Sequence, residues 1–137
     1  EGYRKAFCDF DAERVARMTD EDVERLMHTD GIVRNRLKIK AAITNARLFL
    51  LLQKEFGSFY DYTLSFFPDR KPIVNSFRSL SEIPVSSPES DAMSRDMKKR
   101  GFKFFGSTIC YAHLQATGFV NDHLTGCICR KKSAAER

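Results

Sequence analysis

Two places in this 137-residue sequence combine residue type and spacing in a way that suits a chemical task. The first is Gly101-Phe102-Lys103-Phe104-Phe105-Gly106, a stretch bracketed by glycines between two helical patterns. Glycine lets a chain turn with positive φ and lets a partner approach the backbone, while the helix that follows aims its free N–H groups and positive dipole end at the turn. A phosphate docked there would be held by backbone donors and by Lys103, without any reading of base sequence. Lys99, Gly101, Phe102, Lys103, Gly106 and Ser107 are therefore the candidate DNA-binding residues, with the aromatic side chains expected to anchor the hairpin in the core. A glycine-bounded turn is also an ordinary feature of helical bundles. A helix-turn-helix regulator is the competing reading, but its second helix would read base edges, and 107–117 is poor in Arg, Lys and Asn, with Gln115 as the polar exception.

The second place is Asn121-Asp122-His123-Leu124-Thr125-Gly126-Cys127. Residues four apart face the same way on a helical turn, so His123 and Cys127 can address one zinc ion through nitrogen and thiolate sulfur. A structural zinc needs about four ligands, and neither Cys129 nor Cys8 and His28 complete a familiar spacing. A capped turn with a buried cysteine explains the same residues equally well. Asp122 is expected to be a structural cap.

The elements that must position these groups are helical. Asp11 opens a short helix, and Thr19 followed by Asp22 resembles a capping box for a second one through Met27. Asn35 caps a long helix whose Ile39, Ile43, Ala46 and Leu50 share one face, widened by Phe49, Leu51 and Leu52 and closed by Gly57. Ser58 starts an aromatic helix that stops before Pro68. The stretch 68–88 holds all four prolines and reads as an ordered connector anchored by Leu80 and Ile83, or as a boundary between two subdomains. Ser87, Pro88 and Gly101 then frame a helix over 88–100, with Lys98, Lys99 and Arg100 at its C-terminal dipole. A last helix runs over 107–117. No run of alternating branched and aromatic residues appears, so the fold class is all-α.

Composition bounds the function. With 42% hydrophobic residues the chain can bury one core, and one domain over 1–137 is expected. No apolar run approaches the roughly 18 residues of a membrane span, so no membrane partner is expected. The net charge of +5 is modest, but it is concentrated. Residues 9–30 are acidic, whereas Arg34, Arg36, Lys38, Lys40, Arg47 and Lys54 form one basic cluster and Arg95, Lys98, Lys99, Arg100 and Lys103 another, which favours a phosphate backbone. The four cysteines lack a disulfide framework spacing and fit a reducing, intracellular compartment in the cytoplasm or nucleus. Cys8 and Cys110 read as buried apolar residues.

The segment Lys98-Lys99-Arg100-Gly101-Phe102-Lys103-Phe104-Phe105-Gly106-Ser107-Thr108-Ile109-Cys110-Tyr111, with Gln115-Ala116-Thr117-Gly118-Phe119-Val120-Asn121-Asp122-His123 and Gly126-Cys127, resembles the C-terminal signature of the DNA-3-methyladenine glycosylase I family. Leu80-Ser81-Glu82-Ile83-Pro84, Gly31-Ile32-Val33-Arg34 and Asp22-Val23-Glu24-Arg25-Leu26 fit the same family in the same order. The resemblance implies a helix-hairpin-helix DNA glycosylase-like helical domain, with that element at about 88–118 and a zinc-site turn at 121–129. It implies a base-excision repair enzyme, monomeric in its full-length form, that flips an alkylated adenine from double-stranded DNA and hydrolyses its bond to the sugar. The methylated base is cationic and already a good leaving group, and an aromatic and carboxylate pocket can select its charge. The family's catalytic Glu, with its Trp and Tyr, would precede Glu1, so no catalytic residue is expected in this chain, which contains no Trp and is expected to be inactive alone. The base pocket would take Thr108 and Ala112, the latter standing where relatives often carry a small hydroxyl residue. The family's structural zinc carries over onto His123 and Cys127, with its other two ligands expected upstream. A non-catalytic helix-hairpin-helix DNA-binding module is the alternative function.

Overall fold

Asn35 is extended (φ −124°, ψ 102°), and its side-chain oxygen accepts the Lys38 N–H at 3.2 Å, which satisfies one of the free donors that open the long helix α4, Arg36–Phe56. Gly57 ends it at φ 87°, a region open to glycine. The computed structural model that provides these details describes residues 1–130. Ahead of α4 come α1 (Gly2–Ala6), α2 (Ala12–Ala16) and α3 (Asp20–Met27). Asp11 caps α2 by accepting from Arg14 N–H at 3.0 Å. Thr19 and Asp22 form the capping box of α3, as their spacing predicts. After α4 follow α5 (Phe59–Leu64), the two-residue strand β1 (Ile73–Val74), α6 (Pro88–Lys99), α7 (Ser107–Ala116) and the strand β2 (Val120–Asn121).

The described residues group into two compact units, interleaved along the chain where sequence alone suggests one domain. Unit 1 is Glu1–Phe59 with Lys98–Phe104. Its core is Phe7, Val15, Met18, Val23, Leu26, Ile39 and Ile43, which is α4's apolar face closed by α2 and α3. Arg47 fastens the end of α2, its Nε donating to Ala16 C=O at 2.8 Å and its Nη2 to Met18 C=O at 3.0 Å. Leu51, which sequence places in the widened stripe, is instead 58% exposed, because that stripe spans more of the helix circumference than unit 1 covers.

Unit 2 holds residues 60–97 and, of the described residues, 105–130. Tyr62, Leu64, Phe67, Met93, Met97, Cys110, Tyr111, Leu114, Phe119 and Val120 are its buried apolar side chains among the described residues. The 68–88 stretch lies wholly inside this unit and marks no boundary. It is tied down by a short parallel pairing in which Ile73 faces Val120 and Val74 faces Asn121. Backbone donors Ile73 N–H and Asn75 N–H reach Phe119 and Asn121 carbonyls at 2.8 and 3.0 Å. Leu80 does not anchor this stretch: it is 77% exposed, and hydrogen bonding does the anchoring instead. The protein remains mainly helical, with this minimal sheet as the one addition among the described residues.

Candidate nucleic-acid interface and metal turn

Ser87 begins α6 as expected, its Oγ accepting the Ser90 N–H at 3.2 Å while Ser90 Oγ accepts the Ser87 N–H at 2.8 Å. Gly101 ends it at φ 101°, where a side chain would be strained. The turn that follows is divided between the units, with 101–104 in the first and 105–106 in the second.

In unit 1, the turn is held by a residue that sequence reasoning missed. Asn45 of α4 accepts from Lys103 N–H at 2.9 Å and donates through Nδ2 to Lys103 C=O at 3.0 Å. An asparagine in the middle of an otherwise good helical segment was the available signal, because its side chain competes with helical backbone unless it has another partner. The bond consumes the Lys103 N–H, so what Lys103 offers a phosphate is its exposed ammonium. Lys99 is likewise exposed. The Phe102 side chain is only 8% exposed and, with Leu48, Leu51, Leu52 and Arg100, lines a cleft of about 470 Å³ within unit 1. Phe104, expected in the core, is instead 63% exposed and sits at φ 57°. Arg100 pairs with Glu55 at 2.7 Å and lies 5.4 Å over the Phe56 ring, so its charge is used internally.

In unit 2, Gly106 is the N-cap of α7 with an ordinary φ of −78°, and a Cβ there would meet nothing within 4 Å. Among the described residues, neither backbone conformation nor packing calls for glycine at 106. The first helical bond of α7 runs from Cys110 N–H to Gly106 C=O, which leaves the amides of Ser107, Thr108 and Ile109 as the open donors of the first turn. Thr108 and Ala112, four apart on α7, are both exposed, while Ser107 is half-buried. Cys110 is fully buried, and burial, with the Asp91 charge second, pushes its thiol up to about 11, so it is an inert core residue as expected. Cys8 is only partly buried.

Asp122, expected to be a structural cap, receives three side-chain donors. Its carboxylate, 7% exposed, accepts from Tyr111 Oη, from Gln115 Nε2 at 2.9 Å and from Asn75 Nδ2 at 2.7 Å, so it joins α7, the β1 segment and the β2 end. Burial first, and then the bond to Asp122 and its charge, raise the Tyr111 pKa well above the ordinary tyrosine range. Gln115, the one side chain in 107–117 that suggested base reading, is thereby engaged inside the unit.

The turn after β2 brings His123 Nδ1 within 4.0 Å of Cys127 Sγ. Ligands of one tetrahedral zinc with a Zn–N bond of about 2.0 Å and a Zn–S bond of about 2.3 Å stand about 3.5 Å apart, so the pair needs only a small adjustment to share an ion. Among the described residues no group of three or more His, Cys, Asp or Glu side chains gathers to hold a metal. The donors fit two ligands of a site. Hydrogen bonds brace the turn, with Thr125 N–H donating to Phe77 C=O at 2.9 Å and Arg130 Nη2 to Asn75 C=O at 3.2 Å.

Comparison with known proteins gives this arrangement a context. The family described as methyladenine glycosylase matches residues 1–131. DNA-3-methyladenine glycosylase 1 of Escherichia coli strain K12 is 50% identical over 129 residues, covering 94% of this chain and 68% of the relative. DNA-3-methyladenine glycosylase of Haemophilus influenzae is 42% identical over 130 residues, covering 95% of this chain and 70% of the relative. Among solved structures, one addressing 3-methyladenine recognition by the glycosylase I of Staphylococcus aureus superposes with a TM-score of 0.86 at 32% identity, covering 94% of this chain and 68% of that one.

Proposed function

We propose, on the premise that this chain belongs to the methyladenine glycosylase family, that it is a base-excision repair glycosylase that removes 3-methyladenine from alkylated DNA. The observation that carries this is the 50% identity to a DNA-3-methyladenine glycosylase across 94% of the chain. In the reaction a water molecule adds to the sugar carbon and the glycosidic carbon–nitrogen bond breaks, so the methylated base leaves with the bonding electrons and an abasic site remains. N-Methylation places a positive charge on the base, and departure neutralises it, so little acid assistance is needed. The protein purified from its native source should release 3-methyladenine from methylated duplex DNA. Release no faster than from DNA alone would sink the proposal.

The role of this chain's own residues is to hold the duplex. In unit 1 the ammonium groups of Lys99 and Lys103 are phosphate contacts, with Gly101 shaping the turn and Phe102 anchoring it; in unit 2 the free amides at the start of α7, from Ser107, are phosphate contacts in their own right, and the two stretches supply the sequence of a helix-hairpin-helix element. The open space above Gly106 supports this reading. Thr108 and Ala112 form one wall of the base pocket. The enzyme acts as a monomer on double-stranded DNA within the cell. No helix among the described residues is long and apolar enough to cross a membrane.

His123 and Cys127 supply two ligands of a structural zinc, which would clamp the turn after β2 and take no part in base release. Elemental analysis of the native protein should find about one zinc per chain. A normal zinc content after His123→Ala would contradict the assignment.

A further inference from the structure

The start of α7 already has an anion beside it. Gly106 contributes no side-chain cap, and no acidic residue lies in the first turn of the helix. The Ser107 hydroxyl instead donates to the carboxylate of Asp91, from the first turn of α6, and is paired at 2.9 Å with Ser90 Oγ. Ser90 is fully buried and locked to Ser87 by reciprocal bonds, so the geometry of this junction is fixed from below. Asp91 is exposed. Its charge also reaches the buried Cys110 thiol, one turn into α7.

A serine hydroxyl has one proton to donate. While Ser107 donates to Asp91 it cannot donate to a phosphate oxygen, and a phosphate seated on the amides of Ser107 and Thr108 would meet a like charge. We propose that Asp91 is a built-in competitor for the anion position at the start of α7, which loosens the protein's hold on a phosphodiester. The inference rests on the hairpin being a phosphate contact, as argued above. Its consequence is a faster release of undamaged DNA, a property that suits an enzyme obliged to inspect many sites before it acts.

The test is binding of an undamaged duplex by fluorescence anisotropy across a salt series. Asp91→Asn keeps the shape and an acceptor for Ser107 while removing the charge, and should bind about tenfold tighter at low salt. Asp91→Glu, which keeps the charge, should bind like the wild type. Asp69→Asn is the control for net charge, since Asp69 is an exposed carboxylate in the same unit, and it should change affinity less than about twofold. If Asp91→Asn matches Asp69→Asn, or binds more weakly than the wild type, the competitor is refuted. Lys99→Ala with Lys103→Ala separates the two ideas. If that pair leaves affinity and its salt slope unchanged, the hairpin reading falls and the inference falls with it. If the pair weakens binding but Asp91→Asn does not strengthen it, the hairpin stands and only the competitor is lost.

Discussion

Asn45 grips the backbone of Lys103 at both ends, accepting its N–H at 2.9 Å and donating to its C=O at 3.0 Å. A residue in the middle of the longest helix thus fixes the turn that carries the candidate phosphate contacts. Asn45→Ala removes both bonds and should cost about 1–2 kcal/mol of stability. It should also weaken duplex binding several-fold, because Lys103 would then be held by a looser turn. Denaturant unfolding and anisotropy check the two effects, and a variant as stable and as tight as the wild type would show that the grip is idle.

The two glycines of the turn should respond to the same substitution in opposite ways. At Gly101 the φ of 101° makes Ala strained, so Gly101→Ala should lose about 1–2 kcal/mol. At Gly106 the backbone is ordinary and the space above it open, so Gly106→Ala should alter stability by less than about 0.5 kcal/mol, while a methyl group in the path of a phosphate reduces affinity roughly tenfold. Thermal melts with binding isotherms separate the two outcomes. Unchanged binding by Gly106→Ala would remove the start of α7 from the interface.

Much of this arrangement is legible in sequence because local rules decide it. Asp11, Thr19, Asn35 and Ser87 each open the helix that their residue types announce, and Gly57 and Gly101 end helices where expected. What escapes is tertiary. Nothing near residue 45 says that its amide meets Lys103, and nothing near 122 says that Tyr111, Gln115 and Asn75 converge on it. Leu80 and Phe104 were expected to be buried from hydrophobicity alone, a rule that fails in one direction because a folded surface always retains apolar side chains.

Asp122 carries three donors, Tyr111 and Gln115 from α7 and Asn75 from the segment after β1, so truncating it strands all of them. Asp122→Ala should lose about 3 kcal/mol, and Asp122→Asn about half as much, since one carbonyl oxygen remains to accept. Urea titration reads both values. A loss below about 0.5 kcal/mol for the alanine variant would mean that water replaces the carboxylate at no expense.

Burial lowers the His113 pKa from its ordinary 6.5. The folded protein therefore binds fewer protons at this ring than the unfolded chain does, so the ring's contribution is fully present above 6.5 and declines as pH falls from 6.5 through the lowered value. Unfolding curves for the wild type should weaken between neutral and mildly acidic pH more than those for His113→Phe. Parallel pH profiles for the two proteins would exclude the effect.

The pairing of β1 with β2 brings together segments about as far apart in sequence as Asn75 and Asp122, which are 47 residues apart. Closing so long a loop demands chain entropy before any bond rewards it, whereas every helix here can form from neighbours. The two-residue bridge is therefore a latch set after the helices, and with only two ladder pairs it should open before the middle of the long helix does. Amide exchange at Ile73 and Asn75, which donate across it, should outpace exchange in the middle of α4, and equal protection at both places would count against this order of assembly. A repair protein that opens by that latch can unfasten its connector while its helices stay wound.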